Sequence, residues 1–568
     1  MMRKRSGVTT IGAATLLRFP GRVTGTLENG ALVGPETGMV TAEVESMRRR
    51  SSWLVAGLGV LVVGGLLVTR LPAPPPPPNI IVIMADDHAE RAISAYGSNL
   101  IRTPNIDRLA DEGILFSSSF VTNAICAPSR AVLLTGKYSH RNGLRDNRDE
   151  FDSSQMTFPK LLQHAGYETA LIGKWHLKTE PTGFDHWRVL IGQGHYYRPV
   201  FLENGVEVEH PGYVTDLITD FALEFLENRD TEKPFCLLYQ HSAPHRNWMP
   251  SPRHLDLYAD EDLPLPPTFG DDYDGRLAAR EADMRIEDMY LSFDLKLHEQ
   301  SYERETGTGG KAGFDPEPAW RATYARMTEQ EKAAWDAHYE PISQAFADSP
   351  PAGAALTEWK YQRYLKDYLR CVASIDDNLG RLLDRLDDQG LSDNTIVIYT
   401  SDQGFYLGEH GWYDKRFMYE ESMRTPLIIR YPDGITAGQV ADALVVNLDT
   451  APTLLDYAGV SVPPEMQGRS LRPLTLDQIP DDWRQGVYYH YYEYPHGWHS
   501  VRPHYGVRTD RYKLIHFYGE LDRWELYDLE NDPHELTNVY DNDEYSDITQ
   551  RLLEQLRTLQ GEHGDETS

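Results

Sequence analysis

Four short polar clusters in this chain each close an apolar run. Asp86-Asp87-His88 follows Ile80–Met84, and Gly173-Lys174-Trp175-His176 follows Thr169–Ile172. His241 and then Pro244-His245 follow Phe235–Tyr239, and Ser401-Asp402-Gln403-Gly404 follows Thr395–Tyr399. One Asp or His after such a run reads as a cap or a turn. Four clusters at the same place in the pattern read as one site. Asp86, Asp87 and Asp402 supply three carboxylates, and Gln403 adds an amide oxygen. Oxygen donors alone suit calcium or magnesium better than zinc. Lys174, Lys415 and Arg130 are cations able to hold an anionic group, and His176 and His245 are proton-transfer candidates. His241, a histidine at a strand end, is a candidate for support behind the site. Together these residue types describe a hydrolytic centre built on a hard metal.

The elements that position them follow from periodicity. With Pro426–Ile429, the four runs make five buried parallel strands. Helix-like segments lie between them, among them Leu161–Ala165, Thr215–Leu226 and Tyr361–Leu386. The alternation predicts an α/β fold, a mostly parallel sheet with helices on both faces. In such sheets ligands bind beyond the carboxyl ends of the strands, where the clusters stand. Residues 265–358 are polar, acidic and irregular, and read as an insertion that shapes a cleft. From about 484 the pattern turns to aromatic-rich alternation, in Val487–Tyr494, Tyr505–Phe517 and Trp524–Leu529. It predicts a small antiparallel sheet, closed by a helix over Tyr545–Leu559. The expected division is a catalytic domain over 79–483 and a smaller subdomain over 484–568.

The 568 residues carry 86 acidic and 55 basic side chains, a formal net charge of -31. This excludes general affinity for nucleic acid or anionic membranes. It suits a soluble exported protein. An anionic substrate must then be drawn in by local cations or a metal. Only three cysteines are present, Cys126, Cys236 and Cys371, so no disulfide framework is implied. Cys236 and Cys371 fall in apolar segments and read as buried thiols. Residues 1–46 lack an apolar period and read as disordered, or as lying upstream of a true start at Met47. Met47-Arg48-Arg49-Arg50 precedes an apolar run from Trp53 to Val68, and Pro74–Pro78 forms a stiff spacer. Residues 47–78 therefore read as an export signal or as an uncleaved membrane anchor through 53–68. Either places the rest of the chain in the periplasm or at the cell surface.

The sharpest motif is Cys126-Ala127-Pro128-Ser129-Arg130-Ala131-Val132-Leu133-Leu134-Thr135-Gly136. It fits C-x-P-S-R-x-x-L-x-T-G at every fixed position. On this motif and the four clusters, in this order, the chain resembles the type I, formylglycine-dependent sulfatases of the alkaline phosphatase superfamily. The resemblance runs from Asn79 to about Tyr540. It implies that an installing enzyme oxidises Cys126 to formylglycine, and that a hydrated aldehyde attacks the sulfur of a sulfate ester. By this resemblance Asp86, Asp87, Asp402 and Gln403 bind calcium together with an oxygen of residue 126. Many members carry Asn or His where this chain has Gln403. Lys174 and Lys415 would hold the sulfate oxygens and Arg130 would orient the hydrated aldehyde. Asp402 would accept the proton of the attacking hydroxyl, His245 would protonate the departing oxygen, and His176 would deprotonate the second hydroxyl.

Three further segments, Ser401–Leu427, 504–518 and 241–250, resemble bacterial N-acetylglucosamine-6-sulfatases, including mucin-desulfating ones. The implied partner is a sulfated carbohydrate. Glu493, Trp498 and His504 are candidate sugar contacts within Tyr491–His504. Packing of the small sheet explains that segment equally well. Two other readings remain: a phosphonate or phosphodiester hydrolase with the same core, and an inactive glycan-binding relative. The Lys174/His176 pair favours sulfate over the first. The occupied catalytic positions count against the second.

Overall fold

The computed structural model describes residues 76–566. The extension over 1–46 and all but the last residues of the 47–78 signal or anchor lie outside the described residues. Among the described residues no helix is long and apolar enough to cross a membrane.

Asn79–Ala85 (β1) shows why the fold forms. Its side chains part alternately to the two sides of a sheet. Ile81, Ile83 and Ala85 enter one buried cluster, and Ile80, Val82 and Met84 enter another. A strand covered on both faces must be apolar throughout, which is the run seen in the sequence. The other strands of this sheet are Ile114–Phe116 (β2), Glu168–Lys174 (β3), His186–Leu190 (β4), Val200–Glu203 (β5), Val206–Glu209 (β6), Phe235–Gln240 (β7), Thr395–Ser401 (β8), Leu427–Arg430 (β9) and Gln439–Ala441 (β10). They lie in the order β10-β2-β9-β8-β1-β7-β3-β4-β5-β6. From β8 to β4 all pairings are parallel. β9 runs antiparallel to both β8 and β2, which corrects the parallel direction expected for Pro426–Ile429. Apolar composition reports burial, and burial is the same in either direction.

The register sets the strand ends level. Met84 of β1 pairs with Gln240 of β7 and with Thr400 of β8, and Gln240 pairs with Gly173 of β3. The residues just beyond these pairs are the polar clusters. Cys126–Thr135 (α1) is buried along its whole length, Arg130 included. Gly136 ends it in the left-handed conformation, φ 62°, which glycine adopts without strain. Val214–Asn228 (α2) packs on β3 and β7.

The segment 265–358 is only partly irregular. It contains Pro316–Tyr324 (α3) and Glu329–Asp348 (α4). Thr328 and Glu331 form a reciprocal capping box at the start of α4, a signal the sequence carried in Thr-x-x-Glu. Ala354–Asp388 (α5) follows as one long helix. The C-terminal sheet is an antiparallel meander of Val487–Tyr491 (β11), His504–Arg508 (β12), Tyr512–Phe517 (β13) and Arg523–Asp528 (β14). The stretch expected as one segment, Tyr505–Phe517, is a hairpin. Ser546–His563 (α6) closes the fold. Phe120, Val121, Ile125 and Val132 share one apolar core with Tyr489, Tyr491, Val507 and Ile515. The C-terminal sheet thus packs directly behind the helix that begins at Cys126. Cys236 and Cys371 are buried free thiols, as expected.

Gly173 sits one residue before Lys174 with φ 110°, and a Cβ there would overlap the carbonyl oxygen of Gln240. Gly173→Ala is expected to cost at least about 2 kcal/mol in urea unfolding, through backbone strain and the clash together. An unchanged midpoint would show that this strand end yields freely.

Candidate active site

Beyond the level ends of β1, β3 and β8, six buried charged side chains meet. Asp86, Asp87 and Asp402 present carboxylate oxygens that all lie within 4.8 Å of one another. Arg130 reaches them from one turn inside α1. Its Nε and Nη2 donate to Asp402 Oδ2 at 3.0 and 2.9 Å. Its Nη1 donates to the Lys174 carbonyl and to Gln240 Oε1, both at 2.9 Å. Lys174 Nζ donates to Asp86 Oδ2 and to Gln193 Oε1. Lys415 Nζ spans both oxygens of Asp87, at 2.6 and 2.7 Å. Three carboxylates are thus matched by three cations.

The match is incomplete in detail. Burial pushes the Asp87 carboxyl up to about 7, against the pull of Lys415. Burial and the neighbouring Asp86 push Asp402 up as well. Burial acts on Asp86 too, but Lys174, Arg130 and Lys415 outweigh it and hold that carboxyl below its ordinary value. Asp86 Oδ1 and Gln403 Oε1 are buried with no hydrogen-bond partner among the described residues. Gln403 Nε2 donates to Asp87 Oδ1, which leaves its oxygen as the free atom. Unpartnered buried oxygens are costly unless something else binds them. A hard divalent cation fits this oxygen-only donor set, and its charge would relieve the crowding of the carboxylates.

Cys126 opens α1, and its Sγ lies within 4.8 Å of ligand atoms of Asp86 and His245. Burial drives its thiol pKa far up, so as a cysteine it is a poor nucleophile. His245 Nδ1 lies 2.7 Å from the Arg246 carbonyl. A carbonyl only accepts, so Nδ1 carries the proton and Nε2, 3.8 Å from Asp87 Oδ2, faces the centre. Burial, then Lys174 and Lys415, hold the His245 pKa well below its ordinary value. His176 touches the centre through Gln193, whose Nε2 lies 3.2 Å from His176 Nε2.

A cleft of about 540 Å³ opens on Cys126, His245 and Lys415. Of the three expected sugar contacts, Trp498 lines it. The Arg246 guanidinium and the Lys311 ammonium each lie 4.8 Å from the Trp498 ring centroid. Glu493 is buried behind the wall, accepting from Arg416 Nη1 at 2.7 Å and from the Asn147 amide at 3.0 Å. His504 is wholly buried in the C-terminal sheet, and the expectation of a sugar contact there is corrected. Its Nε2 accepts from the Met418 amide and its Nδ1 faces the Arg502 carbonyl, so neither nitrogen is left for a ligand. His241 is also wholly buried, packed edge-on against Tyr239 at 4.4 Å, and does not line the cleft. The polar wall that sequence reasoning missed is Asn147, Asp414, Arg416 and His499. Arg416 Nε donates to Asp414 Oδ1 at 2.8 Å, and His499 Nε2 lies 3.2 Å from Asp414 Oδ2. The one signal for it was the charged triplet Asp414-Lys415-Arg416 in an otherwise aromatic stretch.

The fold is alkaline-phosphatase-like, and its strand edge carries the groups of a hydrolase for anionic esters. The family model described as "Sulfatase" matches residues 78–460, and the model described as "N-sulphoglucosamine sulphohydrolase, C-terminal" matches residues 408–562. The chain is 50% identical over 489 residues to a protein of Bacteroides thetaiotaomicron named N-acetylglucosamine-6-O-sulfatase, covering 85% of this chain and 86% of that one. It superposes with TM-score 0.82 and 49% identity on the solved structure of BT4656 in complex with its substrate D-glucosamine-2-N,6-O-disulfate, covering 86% of this chain and 99% of the other. A phosphonate monoester hydrolase of Agrobacterium radiobacter shares the fold alone, at TM-score 0.60 and 21% identity over 86% of this chain and 96% of the other. The chain belongs to the sulfatase family. It is a sulfuric ester hydrolase.

Arg130 is the brace of this centre. Arg130→Ala, which strands the buried Asp402, is expected to destabilise the protein by about 3–5 kcal/mol in chemical unfolding. Arg130→Lys should recover less than half of that, because a single ammonium replaces a forked contact.

Proposed function

We propose that the protein removes the 6-O-sulfate from glucosamine residues, N-acetylglucosamine foremost, using calcium and a formylglycine made from Cys126. The observation that carries the sugar is the half-identical relative, whose name specifies 6-O-sulfate on N-acetylglucosamine. The solved relative with a glucosamine 2-N,6-O-disulfate points to the same position on the same ring. The cleft suits such a ring. Its acidic and basic wall, Asp414 and Arg416, offers acceptors and donors to hydroxyls beside the lysine that would hold the sulfate.

In this reading Asp86, Asp87, Asp402 and Gln403 hold the calcium, which neutralises charge on the sulfate oxygens when bound. The hydrated aldehyde of formylglycine at position 126 supplies two hydroxyls on one carbon, one to attack sulfur and one to expel the product. Lys174 and Lys415 hold the transferring sulfate, already dry and fixed, so they need no reorganisation as charge develops. Arg130 orients residue 126 from within the same helix and keeps the Asp402 carboxylate turned to the centre. Asp402 accepts the proton of the attacking hydroxyl. His245 would act as general acid only as the imidazolium, charged once the anionic ester is bound beside it. The Nδ1 proton stays in its bond to the Arg246 carbonyl, and the second proton, on the Nε2 that faces the centre, passes to the departing sugar oxygen. His176 serves the release of sulfate. Cys126 and the residues after it are the address for the installing enzyme. The basic and apolar run over 47–70 marks the chain for export, with the periplasm or cell surface as its place of action.

Wild-type protein from a host that converts Cys126 is expected to release sulfate from N-acetylglucosamine-6-sulfate, and Cys126→Ala to release none. Release from an aryl sulfate but not from the sugar would discard the sugar assignment. Hydrolysis of a phosphonate ester with neither sulfate ester cleaved would overturn the reading.

Calcium at 100 times its dissociation constant should stabilise the wild type by about 2.7 kcal/mol in thermal unfolding. Asp86→Ala should lose that gain. Equal stabilisation of both proteins would place the ion elsewhere.

A further inference from the structure

Among the residues that line the cleft, Gln193 has no role in the reaction described above. It lies just after β4, on the loop that follows Leu190. Its amide bridges two groups of the centre. Oε1 accepts from Lys174 Nζ, and Nε2 lies 3.2 Å from His176 Nε2. We propose that Gln193 is a positioning residue that ties Lys174 to His176 and sets His176 as a neutral imidazole with its proton on Nδ1.

The chemistry of the donors leaves one arrangement. An ammonium has only protons to give, so the Gln193 atom facing Lys174 must be the carbonyl oxygen. The other end of the amide is then an NH2 group, and it faces the ring of His176. Two donors cannot share a hydrogen bond, so His176 Nε2 must accept and Nδ1 must carry the proton. Lys174 is itself fixed by Asp86, so the order runs from the cation cradle outward: Asp86 sets Lys174, Lys174 sets Gln193, and Gln193 sets His176.

The state of His176 agrees with this. Its Nδ1 is buried with no hydrogen-bond partner among the described residues. Burial, then the charges of Lys174 and Arg130, hold its pKa well below the ordinary value, against the pull of Asp402. A neutral ring with an unengaged buried N–H is a donor awaiting an acceptor, and a sulfate oxygen is such an acceptor. The Nδ1–H is therefore the free donor of the His176 ring. It can take up a proton only at Nε2, by giving up the bond from Gln193. The bridge thus fixes which ring nitrogen of His176 is free to receive a proton.

This inference deepens the sulfate-ester reading and rests on it, so the test needs one readout that does not depend on turnover. Neutron diffraction from crystals of the calcium-loaded protein should show the His176 proton on Nδ1 in the wild type. In Gln193→Glu it should show a proton on Nε2, because a carboxylate accepts from both Lys174 and the ring. A wild-type proton on Nε2 would overturn the proposal whatever the enzyme's substrate. In kinetics, Gln193→Ala should lower kcat about 10–100-fold. Thermal stabilisation by calcium should stay unchanged. Gln193→Glu, by stabilising the imidazolium, should move the acidic limb of the pH–rate profile to higher pH, and Gln193→Asn should recover part of the Ala loss. Wild-type kcat in Gln193→Ala, or an unmoved acidic limb in Gln193→Glu, would also overturn it. A wild type inactive on every sulfate ester would sink the functional reading instead, and the neutron result would still decide the proton.

Discussion

The structure depends on a balance of buried charge. Three carboxylates and three cations stand together at the edge of the main sheet, out of water, with no net charge among them. Neither set could be buried alone at tolerable cost. Each anion is matched to a cation from another part of the chain: Asp86 to Lys174, Asp87 to Lys415 and Asp402 to Arg130. The balance therefore holds together β1, β3, α1 and the segment between β8 and β9, which carries Asp402 and Lys415, across long sequence separations. It also prepares the site for an anion. A divalent cation bound among the carboxylates would turn a neutral cluster into a positive one, in a protein whose overall charge is strongly negative.

The level strand ends make that convergence possible, and they explain why so much was legible in the sequence. A strand buried on both faces has to be apolar, so its end is visible as the first polar residue after the run. Asp86, Lys174, His241 and Asp402 were found that way. What such a pattern does not carry is direction, and β9 was accordingly read as parallel. Nor does it mark a turn without glycine or proline. The connection between β12 and β13, Thr509-Asp510-Arg511, contains neither, and the two strands read as one. Within the C-terminal sheet, aromatic and histidine side chains serve as core and as cleft lining alike. Trp498 reaches the cleft while His504, six residues on, is wholly enclosed. Composition gives no means of telling them apart, because what separates them is place in the fold: Trp498 stands on the connection between β11 and β12, and His504 opens β12 inside the core.

The segment after β7, residues 265–358, was correctly seen as foreign to the sheet but not as helical. The stripe of Trp335, Tyr339, Ile342 and Phe346 that packs α4 on the core is set among many acidic and polar residues. Part of the segment's cargo is directed at the cleft: Phe314, Ala319 and Thr323 line it, and the Phe314 ring packs on Trp498 at 5.2 Å. One wall of the cleft is thus assembled from the insertion and from the loop between β11 and β12.

The shared core behind α1 has a consequence for how such a protein can change over time. Ile125, just before Cys126, and Val132 of the helix it opens lie in one apolar core with β11 to β14, so the C-terminal sheet is no removable appendage. Loops around the cleft can be lengthened or exchanged while that joint stays intact. A new C-terminal end can be grafted only if it brings an aromatic face shaped to the same helix. The segment around Cys126 and the C-terminal sheet are therefore constrained to change together.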